Sequence, residues 1–132
     1  MIVLETSAMV ELLVGSDSVA ERVRATVTGE VLAAPHGLDL ECASTLRGLV
    51  QRRKLPAAEA ERALDLLSRI GLARYSHTAL LPRIWQLREK MWPYDAAYVA
   101  LAESLDADLV TVDRKFEKLP RLGCRVRNLR DR

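Results

Sequence analysis

Short apolar runs alternate along the chain with longer stretches in which apolar residues recur every three to four positions. The runs at residues 1–4, 31–34, 72–75, 109–112 and 124–129 have the length and the β-branched or leucine-rich character of strands. Strand and helix patterns in this alternation are typical of βα units built around a parallel sheet. The pattern therefore predicts an α/β fold with a central, mostly parallel sheet.

The helical stretches begin at residues that favour a helix start. Thr6 or Ser7 is placed to cap a first helix, Ser16 is placed to cap a second, and Pro56 suits the first turn of a fourth. Further helices are predicted over about residues 38–53 and 78–90. An alanine-rich helix begins near residue 94, and a helical turn is predicted over residues 113–118.

Length and composition indicate one folded domain spanning residues 1–132. Hydrophobic residues make up 49% of the chain and charged residues 29%, which is enough apolar side chain for a core and excludes disorder as the expectation. The net charge is only +2, but residues 114–132 carry eight basic and two acidic side chains. The basic character of the chain is therefore concentrated at its end.

The sequence also argues against several other classes of protein. Cys42 and Cys124 stand far apart, without the spacing of a zinc site or a disulfide framework. The apolar N-terminus contains Glu5 and Glu11, which is unlike a signal peptide, and no uncharged apolar run approaches the roughly 18 residues of a membrane span. We therefore expect a cytoplasmic protein that does not enter the membrane.

Four acidic residues fall where an α/β sheet gathers functional groups. Glu5 follows the first predicted strand, Asp113 follows the fourth, and Asp95 lies in the first turn of the alanine-rich helix. Glu41 lies on the helix after the second strand and reaches the same crevice if its face points inward. Carboxylates gathered in one pocket repel one another unless a multivalent cation is present, and all-oxygen ligation favours Mg²⁺ or Mn²⁺.

Each of these acids also has a purely local explanation. Glu5, Asp95 and Asp113 are placed to complement the N-termini of the helices that follow them, and Glu41 is equally compatible with a solvated surface. Thr6, Ser7 and Thr111 lie beside two of the acids and are candidate hydrogen-bond donors to them. Position and periodicity alone leave the two interpretations open.

Three segments of the chain resemble the PIN domain family. The run IVLETSAMVELL resembles its opening strand, acid and helix, LECASTLRGL resembles its helix acid, and YDAAYVALAESLDADLVTVDRKF resembles its closing signature almost end to end. The resemblance extends over the whole chain, and the last segment is long and specific. It implies a single-domain α/β/α sandwich.

The size and layout further resemble the VapC toxins of bacterial toxin–antitoxin pairs. This resemblance implies an Mg²⁺-dependent endoribonuclease that acts on RNA, forms a homodimer and is held inactive by a cognate antitoxin protein. Carried onto this chain, the catalytic and metal-binding residues are Glu5, Glu41, Asp95 and Asp113. The supporting hydroxyls are Thr6, Ser7 and Thr111.

The chain departs from the family pattern at its first acid, which is typically Asp and here is Glu5. The additional methylene moves the carboxylate by about 1.5 Å, in a site where Mg²⁺ requires near-ideal octahedral geometry. This departure supports an alternative function: a catalytically impaired PIN-like module that binds antitoxin or RNA without cleavage.

Basic residues near the fourth strand are candidates for contact with an RNA backbone. These are Arg114, Lys115, Lys118 and Arg121, together with Arg125 and Arg127 on the last strand, although a small α/β protein also places such residues on its surface by default. His36 and His77 are predicted to be ordinary polar or capping residues rather than an acid–base pair. Trp85 and Trp92 are predicted to pack in the core or in an interface.

Overall fold

In the computed structural model, which describes residues 1–130, a parallel sheet carries helices on both faces. The strands are β1 (Ile2–Leu4), β2 (Leu32–Pro35), β3 (Leu72–Tyr75), β4 (Asp108–Thr111) and β5 (Val126–Asn128). The α-helices are α1 (Thr6–Val14), α2 (Ser18–Val27), α3 (Gly37–Gln51), α4 (Ala57–Arg69), α5 (Leu81–Gln86) and α6 (Pro93–Leu105). Two 3₁₀ turns cover Thr78–Leu80 and Arg114–Phe116.

The strand order β3-β2-β1-β4-β5 places β1 at the centre of the sheet. Every pairing is parallel, and Val3 of β1 lies in register with Ala33 of β2 on one side and Leu109 of β4 on the other. Because all strands run the same way, their carboxyl ends meet at one edge of the sheet. The residues that follow β1, β2 and β4 are therefore brought together.

The helices divide between the two faces of the sheet. Helices α1, α2, α3 and α4 contact one another, whereas α6 packs across β1, β2 and β4 and also contacts α5. This division follows from right-handed crossovers, since the chain moves outward from β1 to β3 and then returns across the sheet to β4. The arrangement confirms the predicted α/β/α sandwich.

The core consists of strand residues enclosed by these two helical layers. Val3, Leu4, Leu109 and Val110 are fully buried, and Ala96 and further alanines of α6 lie close against the sheet because they have no bulk to hold it away. Such strands are buried on both faces, which explains why the sequence shows continuous apolar runs rather than strict alternation. The predicted strands agree with the observed ones to within two residues at each end.

The structure corrects two predicted helix caps. Glu5, not Thr6 or Ser7, is the N-cap of α1, and its side chain accepts a hydrogen bond from the backbone N–H of Ser7. Asp17, not Ser16, caps α2 through the N–H of Ala20. Hydroxyl and carboxylate oxygens satisfy the same unpaired N–H groups, so adjacent candidates are hard to separate by sequence.

The predicted helix over residues 78–90 was too long. The structure has a 3₁₀ turn followed by the short helix α5, because Pro82 has no N–H to continue the hydrogen-bond ladder of the preceding turn. Trp85 and Trp92 were predicted to pack in the core or in an interface, and the structure excludes the core, since they are 67% and 76% exposed. No helix within residues 1–130 is long and apolar enough to span a bilayer.

Candidate active site

Glu5 directly follows β1, the central strand, and its buried carboxylate accepts hydrogen bonds from hydroxyl groups. Its Oε1 accepts hydrogen bonds from the Ser7 backbone N–H (3.1 Å), the Ser7 hydroxyl and the Thr111 hydroxyl (2.6 Å). The residue is only 3% exposed. The three described hydrogen bonds all reach Oε1, which leaves Oε2 for another partner.

Burial and hydrogen bonding act in opposite directions on this carboxylate. Burial raises the pKa of Glu5 above its ordinary value of 4.5, whereas the hydrogen bonds from Ser7 and Thr111 lower it. The negative charge of Asp113 adds to the rise. A positive charge placed beside Glu5 would therefore stabilise its ionised form.

Glu41 points inward from α3 and meets α6 and α1 at the same edge of the sheet. Its Oε1 accepts hydrogen bonds from the Tyr98 hydroxyl (2.7 Å) and the Thr6 hydroxyl (3.2 Å). The Thr6 and Tyr98 hydroxyls also lie 2.6 Å apart. Burial raises the pKa of Tyr98, and the charge of Glu41 adds to this, so the phenol remains protonated and can donate.

Asp95 and Asp113 are joined by Lys115. The Lys115 Nζ lies 3.1 Å from Asp95 Oδ1 and 3.4 Å from Asp113 Oδ2. Partial burial alone would lower the pKa of Lys115, but hydrogen bonding and attraction to Asp95 and Asp113 raise it above 10.5, so the ammonium keeps its charge. The lysine is thus a cation bound by two of the four predicted site acids.

The four acids are divided between two adjoining cavities. A cavity of about 320 Å³ contains Glu5, Glu41 and Asp113, with the walls completed by Thr6, Ser7, Ser44, Thr45 and Lys115. Asp95 instead lines a neighbouring cavity of about 190 Å³, to which Lys115 also contributes. The structure therefore gathers three of the acids directly and separates the fourth from them by the lysine side chain.

The donor chemistry of this site fits a hard divalent cation, although its present geometry does not form a complete ligand shell. Carboxylate and hydroxyl oxygens are the ligands that Mg²⁺ and Mn²⁺ prefer, and the Lys115 ammonium stands in for a cation between Asp95 and Asp113. Within residues 1–130, however, no three acidic, histidine or cysteine side chains lie close enough to hold a metal ion together. A metal would therefore require local movement of these side chains.

Three site residues were missing from the sequence prediction. Tyr98 lies on the same face of α6 as Asp95, one turn further along, and is a large polar residue among alanines, a signal that was available. Ser44 and Thr45 follow Glu41 on α3, but their sequence pattern does not distinguish them from ordinary surface residues. Their role as cavity walls depends on how α3 is rotated.

The other basic residues predicted to contact RNA are not among those that line the acidic cavity. Arg114, Lys118 and Arg121 are exposed on the segment after β4. Arg127 of β5 instead lies 3.9 Å from Asp108, at the opposite end of β4 from Asp113. Lys115 is thus the predicted basic residue that the structure places in the acidic cavity.

A third cavity, of about 460 Å³, opens beside the acidic one and has mainly apolar walls. His36 and His77 both line it, because they follow the paired strands β2 and β3. Glu41 contributes to both this cavity and the acidic one. The two histidines therefore share a surface, although the sequence gave no reason to bring them together.

Comparison with known proteins shows the family to which the chain belongs. A model of the PIN domain matches residues 2–122. The chain belongs to the PIN domain family. It is also 39% identical over 126 residues to ribonuclease VapC9 of Mycobacterium tuberculosis, and the match covers 96% of each chain.

Two solved structures of toxin–antitoxin proteins have the same fold. Mycobacterium tuberculosis VapC20, described as a toxin that cleaves the sarcin-ricin loop, matches with a TM-score of 0.68 and 16% identity over 89% of this chain and 93% of its own. VapBC2 of Rickettsia felis, solved with a DNA fragment from its promoter, matches with a TM-score of 0.68 and 17% identity over 97% and 98% of the two chains. At these identities the likeness concerns the fold.

Proposed function

We propose that this PIN domain protein is a divalent-metal-dependent endoribonuclease, with Mg²⁺ or Mn²⁺ as its cofactor, and that it is the toxin of a toxin–antitoxin pair. The observation that carries the proposal is the acidic cavity, where Glu5, Glu41 and Asp113 surround one space at the carboxyl edge of the sheet. The relationship to ribonuclease VapC9 supports RNA as the substrate. Cleavage of cellular RNA in turn implies a cytoplasmic site of action.

The chain's own residues prepare the site for a phosphodiester. Thr111 and Ser7 hold Glu5 in one orientation, while Tyr98 and Thr6 do the same for Glu41, so both carboxylates are fixed before substrate arrives. When bound, a divalent cation would supply the Lewis-acid chemistry that phosphodiester hydrolysis requires. Glu5, Glu41, Asp95 and Asp113 are the residues that would hold it.

Basic residues offer a path for the RNA backbone to this acidic site. Arg114, Lys118 and Arg121 are exposed on the segment that follows β4, and their charge offsets the repulsion between phosphates and carboxylates. We assign them a role in RNA binding. Substituting any of them by Ala should weaken RNA binding and reduce its dependence on salt concentration.

Cleavage of an RNA panel by purified, antitoxin-free protein in Mg²⁺, Mn²⁺ or EDTA tests this function. We expect cleavage with either metal, none in EDTA, and a loss of at least about 100-fold in Asp113→Asn. Glu5→Asp, tested beside the wild type, measures the effect of the longer side chain. Wild-type cleavage that persists in EDTA would contradict the proposed chemistry.

The impaired module is the second candidate function, and Glu5 is the observation that favours it. If the wild type is silent and Glu5→Asp cleaves RNA, the four acids are assigned correctly and Glu5 has disabled the enzyme. If both proteins are silent on every RNA but bind antitoxin or RNA, the binding module replaces the enzyme.

We further propose two protein partners: a cognate antitoxin and a second copy of this chain. The resemblance to VapBC2 supports the antitoxin. The homodimer is supported by an exposed apolar surface around the 460 Å³ cavity, where Leu40 is 77% exposed and Leu81 and Tyr94 also face solvent. Light scattering should give the mass of a dimer, and Leu40→Asp should give that of a monomer.

A further inference from the structure

Lys115 is held at the site by its backbone as well as by its side chain. It follows Asp113 in the 3₁₀ turn, and its backbone N–H donates a hydrogen bond to Asp113 Oδ1 over 2.9 Å. The Phe116 N–H donates to the Asp113 carbonyl over 3.2 Å, which closes the turn. These hydrogen bonds fix the backbone of Lys115 relative to Asp113, so the lysine side chain starts from a fixed position beside the aspartates.

The two aspartates that Lys115 contacts lie in different surroundings. The Asp95 side chain is only 9% exposed, whereas that of Asp113 is 34% exposed. A nearly buried carboxylate is costly without a positive partner, and Lys115 is the cation that the described structure gives to Asp95. The lysine therefore satisfies Asp95 while no metal is bound.

A divalent cation on Asp95 and Asp113 is incompatible with the present position of the ammonium. Lys115 Nζ already lies within 3.4 Å of both carboxylates, so a metal on the same oxygens would stand a few Å from a second positive charge. The Lys115 side chain is half exposed and has a flexible four-carbon stem, which gives it a route to solvent. The lysine and the metal are thus alternative occupants.

We propose that Lys115 is a positioning residue whose ammonium holds Asp95 and Asp113 in the metal-free protein and must leave them when a divalent cation binds, so that it sets the metal affinity of the site. The inference rests on the proposed function, because it requires that the site take up a divalent cation.

Calorimetric titration with MnCl₂ at fixed pH and ionic strength tests this role. Compared with the wild type, Lys115→Met should bind Mn²⁺ about three- to tenfold more tightly, because binding no longer requires two ion pairs to be broken. Lys118→Met is the matched control, since it removes the same charge from the same exposed segment, and it should change the affinity less than about twofold. Lys115→Arg, which retains a cation, should keep the weaker wild-type affinity.

Thermal unfolding gives an independent measurement of the same exchange. In EDTA, Lys115→Met should unfold at a lower temperature than the wild type because Asp95 has lost its partner. Added MnCl₂ should raise the melting temperature of Lys115→Met by more than it raises that of the wild type. Circular dichroism before the titration verifies that the variants are folded.

The outcomes separate the two proposals. Mn²⁺ affinity that is unchanged or weaker in Lys115→Met, with metal-dependent RNA cleavage by the wild type, overturns the role of Lys115 and leaves the proposed function intact. Mn²⁺ binding by neither protein overturns both.

Discussion

The hydroxyl of Tyr98 donates a 2.7 Å hydrogen bond to Glu41, although the two residues are separated by 57 positions in the chain. This contact joins α6 to α3 across the carboxyl edge of the sheet, and the Thr6 hydroxyl, 2.6 Å from that of Tyr98, adds α1 to the same cluster. Tyr98 is 1% exposed, so water is not a ready substitute. The orientation of Glu41 therefore depends on an aromatic residue from the opposite helical layer.

Removing this hydroxyl should destabilise the protein and release Glu41. For Tyr98→Phe we expect a loss of about 1 to 2 kcal/mol in the free energy of unfolding, because the partly buried Glu41 and the buried Thr6 lose a partner. Urea denaturation measures the loss. Tyr94→Phe removes the same group from a side chain that is 69% exposed and should change stability little; equal effects in both variants would count against a role for the Tyr98 contact.

Thr111→Val should destabilise the protein in a pH-dependent way. Thr111 is fully buried and its hydroxyl donates to Glu5 over 2.6 Å, which lowers the pKa of Glu5 against the effect of burial. Without the hydroxyl the pKa of Glu5 rises further, so the ionised carboxylate destabilises the fold more. We expect the free energy of unfolding to fall by about 2 kcal/mol at pH 7 and by less at pH 4.

Urea denaturation at the two pH values measures this difference. Thr45→Val is the control, because Thr45 is exposed on α3 and the same change of side chain should have little effect on stability there. A loss in Thr111→Val that is equal at pH 4 and pH 7 would show that Glu5 is not the group affected.

The ion pair of Arg83 and Glu103 should stabilise the protein at neutral pH and lose this effect at acidic pH. Arg83 Nε lies 2.7 Å from Glu103 Oε1, and this hydrogen bond lowers the pKa of Glu103 below 4.5. A lowered pKa in the folded state gives stability above the unfolded pKa, and this stability is lost as the pH falls through the folded pKa. Glu103→Gln should therefore be less stable than the wild type by about 1 kcal/mol or less at pH 7, and this difference in stability should shrink as the pH falls below 4.5.

Melting temperatures from pH 7 to pH 3 give this comparison. Glu61→Gln removes a carboxylate from the exposed face of α4 and serves as the control. If the difference in melting temperature between wild type and Glu103→Gln stays the same from pH 7 to pH 3, the ion pair is not the cause of that difference.

Cys42 should remain unreactive until the protein unfolds. It is fully buried, and burial, reinforced by the charges of Asp39 and Glu41, raises its pKa to about 12, so almost no thiolate forms at neutral pH. Cys124 is partly exposed, with a pKa raised by burial to about 11. Alkylation followed by mass spectrometry should show Cys124 modified first and Cys42 only in urea. Rapid modification of Cys42 in the Cys124→Ser variant would contradict its burial.

Much of the fold was accessible from sequence because strand runs and helical periodicity are local properties. The strands were placed within two residues, and the division into βα units was confirmed. The caps were less accessible, since Glu5 and Asp17 compete with adjacent hydroxyl residues that have similar preferences. The sequence did not separate a core position from an interface position for Trp85, because a helical apolar pattern does not state which part of the pattern faces the core.

The sequence by itself determined the order of strands and helices and the placement of Glu5 and Asp113 after β1 and β4, because these depend on local pattern and on the direction of parallel strands. Only the tertiary structure decided that Tyr98 supports Glu41 and that Lys115 separates Asp95 from the cavity of the other three acids. Those relationships depend on the rotation of α3 and α6 against the sheet and on the side-chain torsions of one lysine. Both are set by packing between residues far apart in the chain, which no local pattern encodes.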